Sequence, residues 1–221
     1  MLLLAFDTAT PAITVALHDG ASVLAAFTTV DARRTGEVLA PGIADVLSRS
    51  GRTMSEVTGI AVGVGPGPFT GLRVGLVTAR TLGDALEVPV HGVCTLDVLA
   101  YATDGTGLVG PFAVATDARR KEVYWAAYAD ALTRTSEPDV TRPGELVERL
   151  SALPVVGEGP YLYPGAFPSP AGPRHPDAGI LAALVALRLA TDPSKLSAPD
   201  PMYLRRPDAV EPAARKKVSA G

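Results

Sequence analysis

Leu3-Leu4-Ala5-Phe6-Asp7 and Ala113-Val114-Ala115-Thr116-Asp117 decide the fold between them. Each is a short, almost unbroken apolar run that ends by delivering an aspartate to a turn. A run that is apolar at consecutive positions has both faces covered, as a central strand of an α/β sheet does. A second strand follows each of them closely: residues 13–17 after a Thr/Pro turn, and residues 122–128 as the return of a hairpin. Helix and then strand follow in both cases. Self-similarity in the same order points to a duplicated architecture.

Outward from the first run, Asp19-Gly20 is a hairpin signal, and residues 23–28 make a third strand. Residues 36–49 carry Leu39, Ile43, Val46 and Leu47 at helical spacing, with Pro41 read into the first turn, where a missing amide is tolerated. Residues 60–64 form a buried strand, 70–86 a second helix, and 88–93 the strand that closes the first half. The glycine-rich residues 103–110 link the halves. Beyond them come a helix at 145–150, a short strand at 155–157 and a core helix at 179–190 that Arg188 interrupts. Prolines 193, 199, 201 and 207 give an extended tail, and the last residues are expected to lack fixed structure. The expected fold class is α/β, with two similar halves at 1–102 and 103–221, each a mixed sheet flanked by helices.

Composition narrows the function. With 47% hydrophobic and 19% charged residues, a chain of 221 residues buries a real core. A net charge of −3 lacks the basic excess of a protein that grips nucleic acid unaided. The clusters Arg33-Arg34, Arg119-Arg120-Lys121, Arg205-Arg206 and Arg215-Lys216-Lys217 read as solvated charge. Cys94 is the only cysteine, so no intrachain disulfide forms and a reducing compartment, the cytoplasm, is expected. Residues 2–6 and 179–190 are both too short to span a membrane.

Several residues invite a chemical reading. The stretch Gly63-Val64-Gly65-Pro66-Gly67-Pro68-Phe69-Thr70-Gly71-Leu72-Arg73 runs strand, glycine loop, helix start, with Thr70 as candidate N-cap. It is either an anion cradle or a stiff structural turn. Two prolines without N–H groups and the lack of a Walker lysine favour the turn. Asp7, Thr8 and Thr10 at a strand end, with Gly65 and with Asp117 as counterpart, form a candidate nucleotide-binding set. The alternative is that each aspartate is a local backbone acceptor. His18, His91 and His175 lie in separate segments, so no metal site is expected, and no Gly-x-Ser-x-Gly nucleophile motif exists. No catalytic residue is assigned.

Gly75, Ala79 and Gly83 recur every four residues, which strips side chains from one face of the second helix. Glycine in a helix costs up to about 1 kcal/mol relative to alanine, a loss that close approach of another backbone offsets. That backbone is either the chain's own sheet or a second molecule. The second alternative makes Glu37, Leu39, Ile43, Val46, Leu47, Leu72, Gly75, Leu76, Ala79, Leu82, Gly83 and Leu86 a partner interface, and lets Gly75 and Gly83 accept leucine without unfolding the free chain.

Leu4-Ala5-Phe6-Asp7-Thr8-Ala9-Thr10, residues 63–75, Thr116-Asp117-Ala118-Arg119 with Glu122-Val123-Tyr124, and Pro201-Met202-Tyr203-Leu204-Arg205-Arg206-Pro207-Asp208-Ala209 together resemble the bacterial TsaB (YeaZ) family. The resemblance runs over nearly the whole chain. It implies two RNase H-like halves of the actin/sugar-kinase/Hsp70 type. It further implies a non-catalytic subunit that binds and supports a TsaD homologue, which transfers a threonylcarbamoyl group to the adenosine beside the anticodon of ANN-decoding tRNAs. A TsaE homologue joins the assembly, and TsaC supplies threonylcarbamoyl-AMP. The resemblance places the partner and homodimer surface on residues 36–49 and 70–86, makes contact with tRNA indirect, and leaves ATP or ADP at or near the partner interface. A stand-alone ATP-binding protein or phosphotransferase of the same fold is the competing expectation. Where many relatives carry His-Ser-Glu at the start of the first helix, this chain has Thr35-Gly36-Glu37, so no role of that histidine carries over.

Overall fold

The computed structural model describes residues 1–31, 34–167 and 169–205. Two mixed sheets carry it. The first holds β1 (Leu3–Asp7), β2 (Ala12–His18), β3 (Val23–Val30), β4 (Gly59–Gly63) and β5 (Val90–Val93), in the order β3-β2-β1-β4-β5. The β1–β2 and β2–β3 pairs are antiparallel, while β1–β4 and β4–β5 are parallel. The second sheet holds β6 (Phe112–Asp117), β7 (Val123–Asp130), β8 (Thr133–Arg134), β9 (Asp139–Thr141), β10 (Val155–Val156) and β11 (Pro170–Ala171). Its order is β11-β10-β6-β7-β8, and β9 also pairs with β7. β6 takes the place of β1 and β7 that of β2, with the same senses: β6–β7 antiparallel, β6–β10 and β10–β11 parallel. This is the duplicated RNase H-like arrangement the resemblance implied. Asp7 pairs with Thr14 and Asp117 with Val123 at equivalent strand ends.

Because side chains alternate across a strand, β1 feeds two cores. Leu4 and Phe6 face helices α1 (Thr35–Ser50) and α2 (Phe69–Leu86), where Leu39, Ile43, Val46, Leu72, Leu76 and Ala79 meet them. Leu3 and Ala5 face the other way, onto α6 (Ala178–Thr191) through Leu181, Leu184 and Val185. Helix α3 (Thr95–Tyr101) follows β5 in the chain, yet its Leu96 and Leu99 pack with Phe112, Val114 and Tyr128 of the second sheet. Helices α4 (Pro143–Leu150) and α5 (Gly159–Leu162) complete that sheet's surroundings. Each sheet is therefore finished by a helix from beyond its own run of strands, and α3 and α6 touch.

Two local expectations are corrected, and one helix is added. Pro41 lies inside α1, past the first turn. The amide it lacks would have bonded the carbonyl of Glu37, which sits on the exposed side where water can serve instead. Thr70 is not an N-cap: α2 starts at Phe69, with Pro68 as its cap residue and no capping side chain. Helix α3 has no counterpart in the sequence reading.

The tail returns to the first half. Ser197 exchanges both backbone hydrogen bonds with Gly92 (2.8 and 3.0 Å), and the Met202 amide donates to the Val64 carbonyl (2.8 Å). Arg33, Arg206, Pro207, the Arg215-Lys216-Lys217 cluster and the chain end expected to lack structure lie outside the described residues. None of the described helices is long and apolar enough to cross a membrane.

Candidate functional site

The glycine–alanine stripe of α2 faces inward. A Cβ at Gly75 would strike the Thr8 hydroxyl, and one at Gly83 would strike the Val90 side chain. Ala79 is fully buried, and Leu72 and Leu76 are buried with it. In α1, Leu39, Ile43 and Val46 are buried against the same sheet, while Leu47, Leu82 and Leu86 are half-buried and pack on that core. What fills the space beside the helical glycines is the chain's own Thr8 and Val90, contrary to the interface expectation for these residues. Of the predicted set, Glu37 alone is exposed, and it is paired with Arg34 at 2.9 Å.

The surfaces these helices turn outward are different. On α2, Thr70, Val77 and Thr81 are exposed and Val74 and Thr78 half-buried, with Val77 60% exposed. The spacing 70, 74, 77, 78, 81 is one uncharged stripe, and all five residues are β-branched. On α1, Gly36, Ala40, Pro41 and Ala44 are exposed, and the two helices are in contact. A flank of α2 is taken by the tail: Phe69 stacks on Tyr203 (centroids 5.4 Å apart), Arg73 donates to the Tyr203 hydroxyl (3.2 Å), and Arg80 pairs with Asp200. The reading from spacing missed this outer stripe, though β-branched residues at the positions opposite Leu72 and Leu76 were a visible sign of it.

Asp7 sits where strand β1 meets the glycine loop, and it is fully buried. Its carboxylate accepts from the Thr95 hydroxyl (2.7 Å) and the Ala9 amide (2.7 Å). The Thr8 hydroxyl donates to the Gly71 carbonyl at 2.7 Å, and the Thr10 hydroxyl accepts from the Ala12 amide at 3.2 Å. Gly65 is left-handed (φ 95), which suits glycine. Side chains at Gly63 and Gly67 would strike the Asp7 carboxylate and the Ala9 backbone, respectively. The turn and the loop thus interlock, and the Asp7, Thr8 and Thr10 side chains already have partners within the chain. Asp117 accepts from the Arg119 amide (2.8 Å) and pairs with the Arg119 guanidinium (3.2 Å).

Burial raises the Asp7 carboxyl above the usual carboxylate range, against the opposing pull of its bonds from Ala9 and Thr95. A carboxyl whose folded pKa is raised stabilises the fold below its unfolded pKa and loses that contribution as pH rises through the folded value. Asp7→Asn keeps the shape and cannot ionise. It is expected to raise the melting temperature at pH 7.5 and to do so progressively less as pH is lowered toward 4, measured by thermal melts of both chains across that range.

A second, half-buried cluster was not anticipated. Asp97 in α3 accepts from Arg134 (2.9 Å), Arg188 (3.0 Å) and the Tyr128 hydroxyl (3.0 Å), and Arg188 also donates to the Lys195 carbonyl (3.1 Å). One carboxylate therefore joins α3, β7, β8 and α6 beside a cavity of about 560 Å³. Arg188 inside an otherwise apolar helix was the signal that could have found it. Cys94, next to this cluster, is buried, and desolvation pushes its thiol up to about 12, which leaves it unreactive. Among the described residues no three His, Cys, Asp or Glu side chains gather as metal ligands.

Comparison with known proteins finds relatives over most of the chain. The family described as "TsaD: tRNA N6-adenosine threonylcarbamoyltransferase" matches residues 24–161. An uncharacterised protein of Mycobacterium tuberculosis is 43% identical over 209 residues, which cover 93% of this chain and 92% of that one. The tRNA threonylcarbamoyladenosine biosynthesis protein TsaB of Escherichia coli is 35% identical over 172 residues, 74% of each chain. The solved structure of YeaZ from Pseudomonas aeruginosa superposes with a TM-score of 0.78 at 30% identity, covering 92% of this chain and 99% of that one.

Proposed function

The chain belongs to the TsaB (YeaZ) family, and from that premise we propose that it works in tRNA threonylcarbamoyladenosine biosynthesis as a subunit without a catalytic centre of its own, binding and supporting a TsaD homologue. The partner's reaction is transfer of a threonylcarbamoyl group to the adenosine beside the anticodon. A TsaE homologue joins the larger assembly, ATP or ADP is held at or near the partner interface, and the work is cytoplasmic. The isolated chain pairs with a second copy through the same surface.

The observation that carries this reading is the outer stripe of α2. Threonine and valine are poor choices for exposed helix positions, where packing does not decide and long unbranched residues propagate the helix better. Thr70, Val74, Val77, Thr78 and Thr81 make sense on a face that a partner covers, beside the small Gly36, Ala40 and Ala44 of α1, which let a foreign helix come close. The interface therefore uses the expected helices but their opposite faces.

Val77→Glu places an unpaired charge at the centre of that stripe without touching the core. It is expected to weaken capture of the TsaD homologue at least about tenfold, because burying an unpartnered charge costs well over the ~1.4 kcal/mol that equals a factor of ten. The melting temperature should stay within about 2 °C of the parent. Unchanged affinity, measured by calorimetry with the purified partner, would remove α2's outer face from the interface.

A further inference from the structure

The end of the second sheet at the β6–β7 turn concentrates positive charge that the chain as a whole lacks. The turn runs Arg119-Arg120-Lys121, and all three residues are left-handed (φ 61, 53 and 61) although none is glycine. The Asp117 and Glu122 carboxylates beside it are each paired, with Arg119 and Arg205. Lys121 and Arg142 then border an open slot of about 460 Å³ whose walls are Pro143, Gly144, Tyr163 and Ala166, with Glu145 as its one carboxylate. Among the described residues at this end, five cations (Arg119, Arg120, Lys121, Arg142, Arg205) stand against three carboxylates (Asp117, Glu122, Glu145), a formal charge of +2 on a chain whose total is −3.

Two independent features coincide there. The slot is lined mainly by carbon, carries an aromatic ring, and has room for one flat ring system of nucleobase size. Its rim is cationic. An aromatic platform with cations along its edge is how single-stranded nucleic acid is held: bases stack on the ring, and phosphates meet the charges. An acidic peptide would use the rim and leave the aromatic slot without purpose. Tyr163 is half-buried and lies close enough to Asp117 to feel its charge, so the ring belongs to the same end of the sheet as the basic turn.

We propose that this end of the second half contacts RNA directly, seating an unpaired base against Tyr163 with its flanking phosphates on Lys121 and Arg142. This rests on the reading above that the chain serves tRNA modification, and it changes the expected contact with tRNA from indirect to direct.

The test is fluorescence anisotropy with an unmodified tRNA transcript, titrated with the isolated chain and with its complex with the TsaD homologue. The doubly reversed chain Lys121→Glu/Arg142→Glu should bind tRNA at least about tenfold more weakly. Its dependence of log affinity on log salt should be shallower by about 1.4, from two lost phosphate contacts at about 0.7 each. Tyr163→Leu keeps the apolar volume and removes the ring; it should cost about tenfold with the salt slope unchanged. Affinity for the TsaD homologue should be the same for all three chains. The proposal falls if neither variant alters tRNA affinity, if charge reversal weakens binding while Tyr163→Leu does not, or if the parent chain binds no tRNA in either form. Failure of the complex to form would instead overturn the subunit reading, and the titration of the isolated chain would still read the RNA site.

Discussion

Gly75→Leu is expected to destabilise the free chain itself rather than merely to loosen a complex. The α-carbon of Gly75 lies over Thr8, and even one added carbon would strike the hydroxyl that donates to the Gly71 carbonyl. A leucine must push α2 off the first sheet or break the Thr8 bond, and either shift disturbs the interlocked turn beneath it. Overpacking of this kind costs about 1–3 kcal/mol and more where backbone stands in the way. Replacing a helical glycine returns at most about 1 kcal/mol. Against a total stability of about 5–15 kcal/mol, a net loss near 2 kcal/mol lowers the melting temperature by about 4–8 °C. Thermal melts followed by circular dichroism measure it. A Gly75→Leu chain that melts like its parent but no longer captures its partner would mean that the stripe looks outward after all.

Asp97→Ala should be comparably severe. It leaves Arg134 and Arg188 facing each other with their shared acceptor gone, and the Arg188 side chain is only 10% exposed. Removing one member of a buried charged group costs about 3–5 kcal/mol, because the partner charge stays buried and unpaired. Removing the stranded charge as well should recover most of the loss: Asp97→Leu/Arg188→Met is expected to melt well above Asp97→Ala. Denaturant titrations of Asp97→Leu, Arg188→Met and the double replacement close the cycle. If the double replacement is no better than the single, the cluster's contribution is not electrostatic, and packing of α3 alone sets the stability there.

The strands were readable because their chemistry is local. Leu3–Asp7 and the run ending at Asp117 are apolar on both faces and stop at an acid, which needs no knowledge of the neighbours. What escaped depends on direction. Leu72, Gly75, Leu76, Ala79 and Gly83 lie at the 3- and 4-residue spacing of any core-facing stripe, and small residues invite close approach from either side. Nothing in the spacing says whose backbone arrives. Helix α3 was missed for the opposite reason: Leu96, Val98, Leu99 and Ala100 are all fully buried, so its short run lacks the polar face that marks a helix. Asp97 escaped because its three donors come from β7, β8 and α6, far along the chain. Of the nucleotide-binding set, Asp7 bonds Ala9 and Thr95, Thr8 bonds Gly71, and the Gly65 carbonyl accepts from the Thr95 amide, contacts made by residues that the strand-end pattern alone does not name.

The crossing of α3 and α6 has a bearing on synthesis. One face of the first sheet, with Leu3, Ala5, Ala16 and Ala61, is covered largely by α6 through Leu181, Leu184 and Val185. A ribosome that has finished β5 must still make α6, which ends at Thr191. At about 5–20 residues per second that delay is on the order of 5–20 seconds. Throughout it the nascent chain displays a greasy surface to the cell, an appointment for chaperones that a chain with self-contained halves would not have to keep.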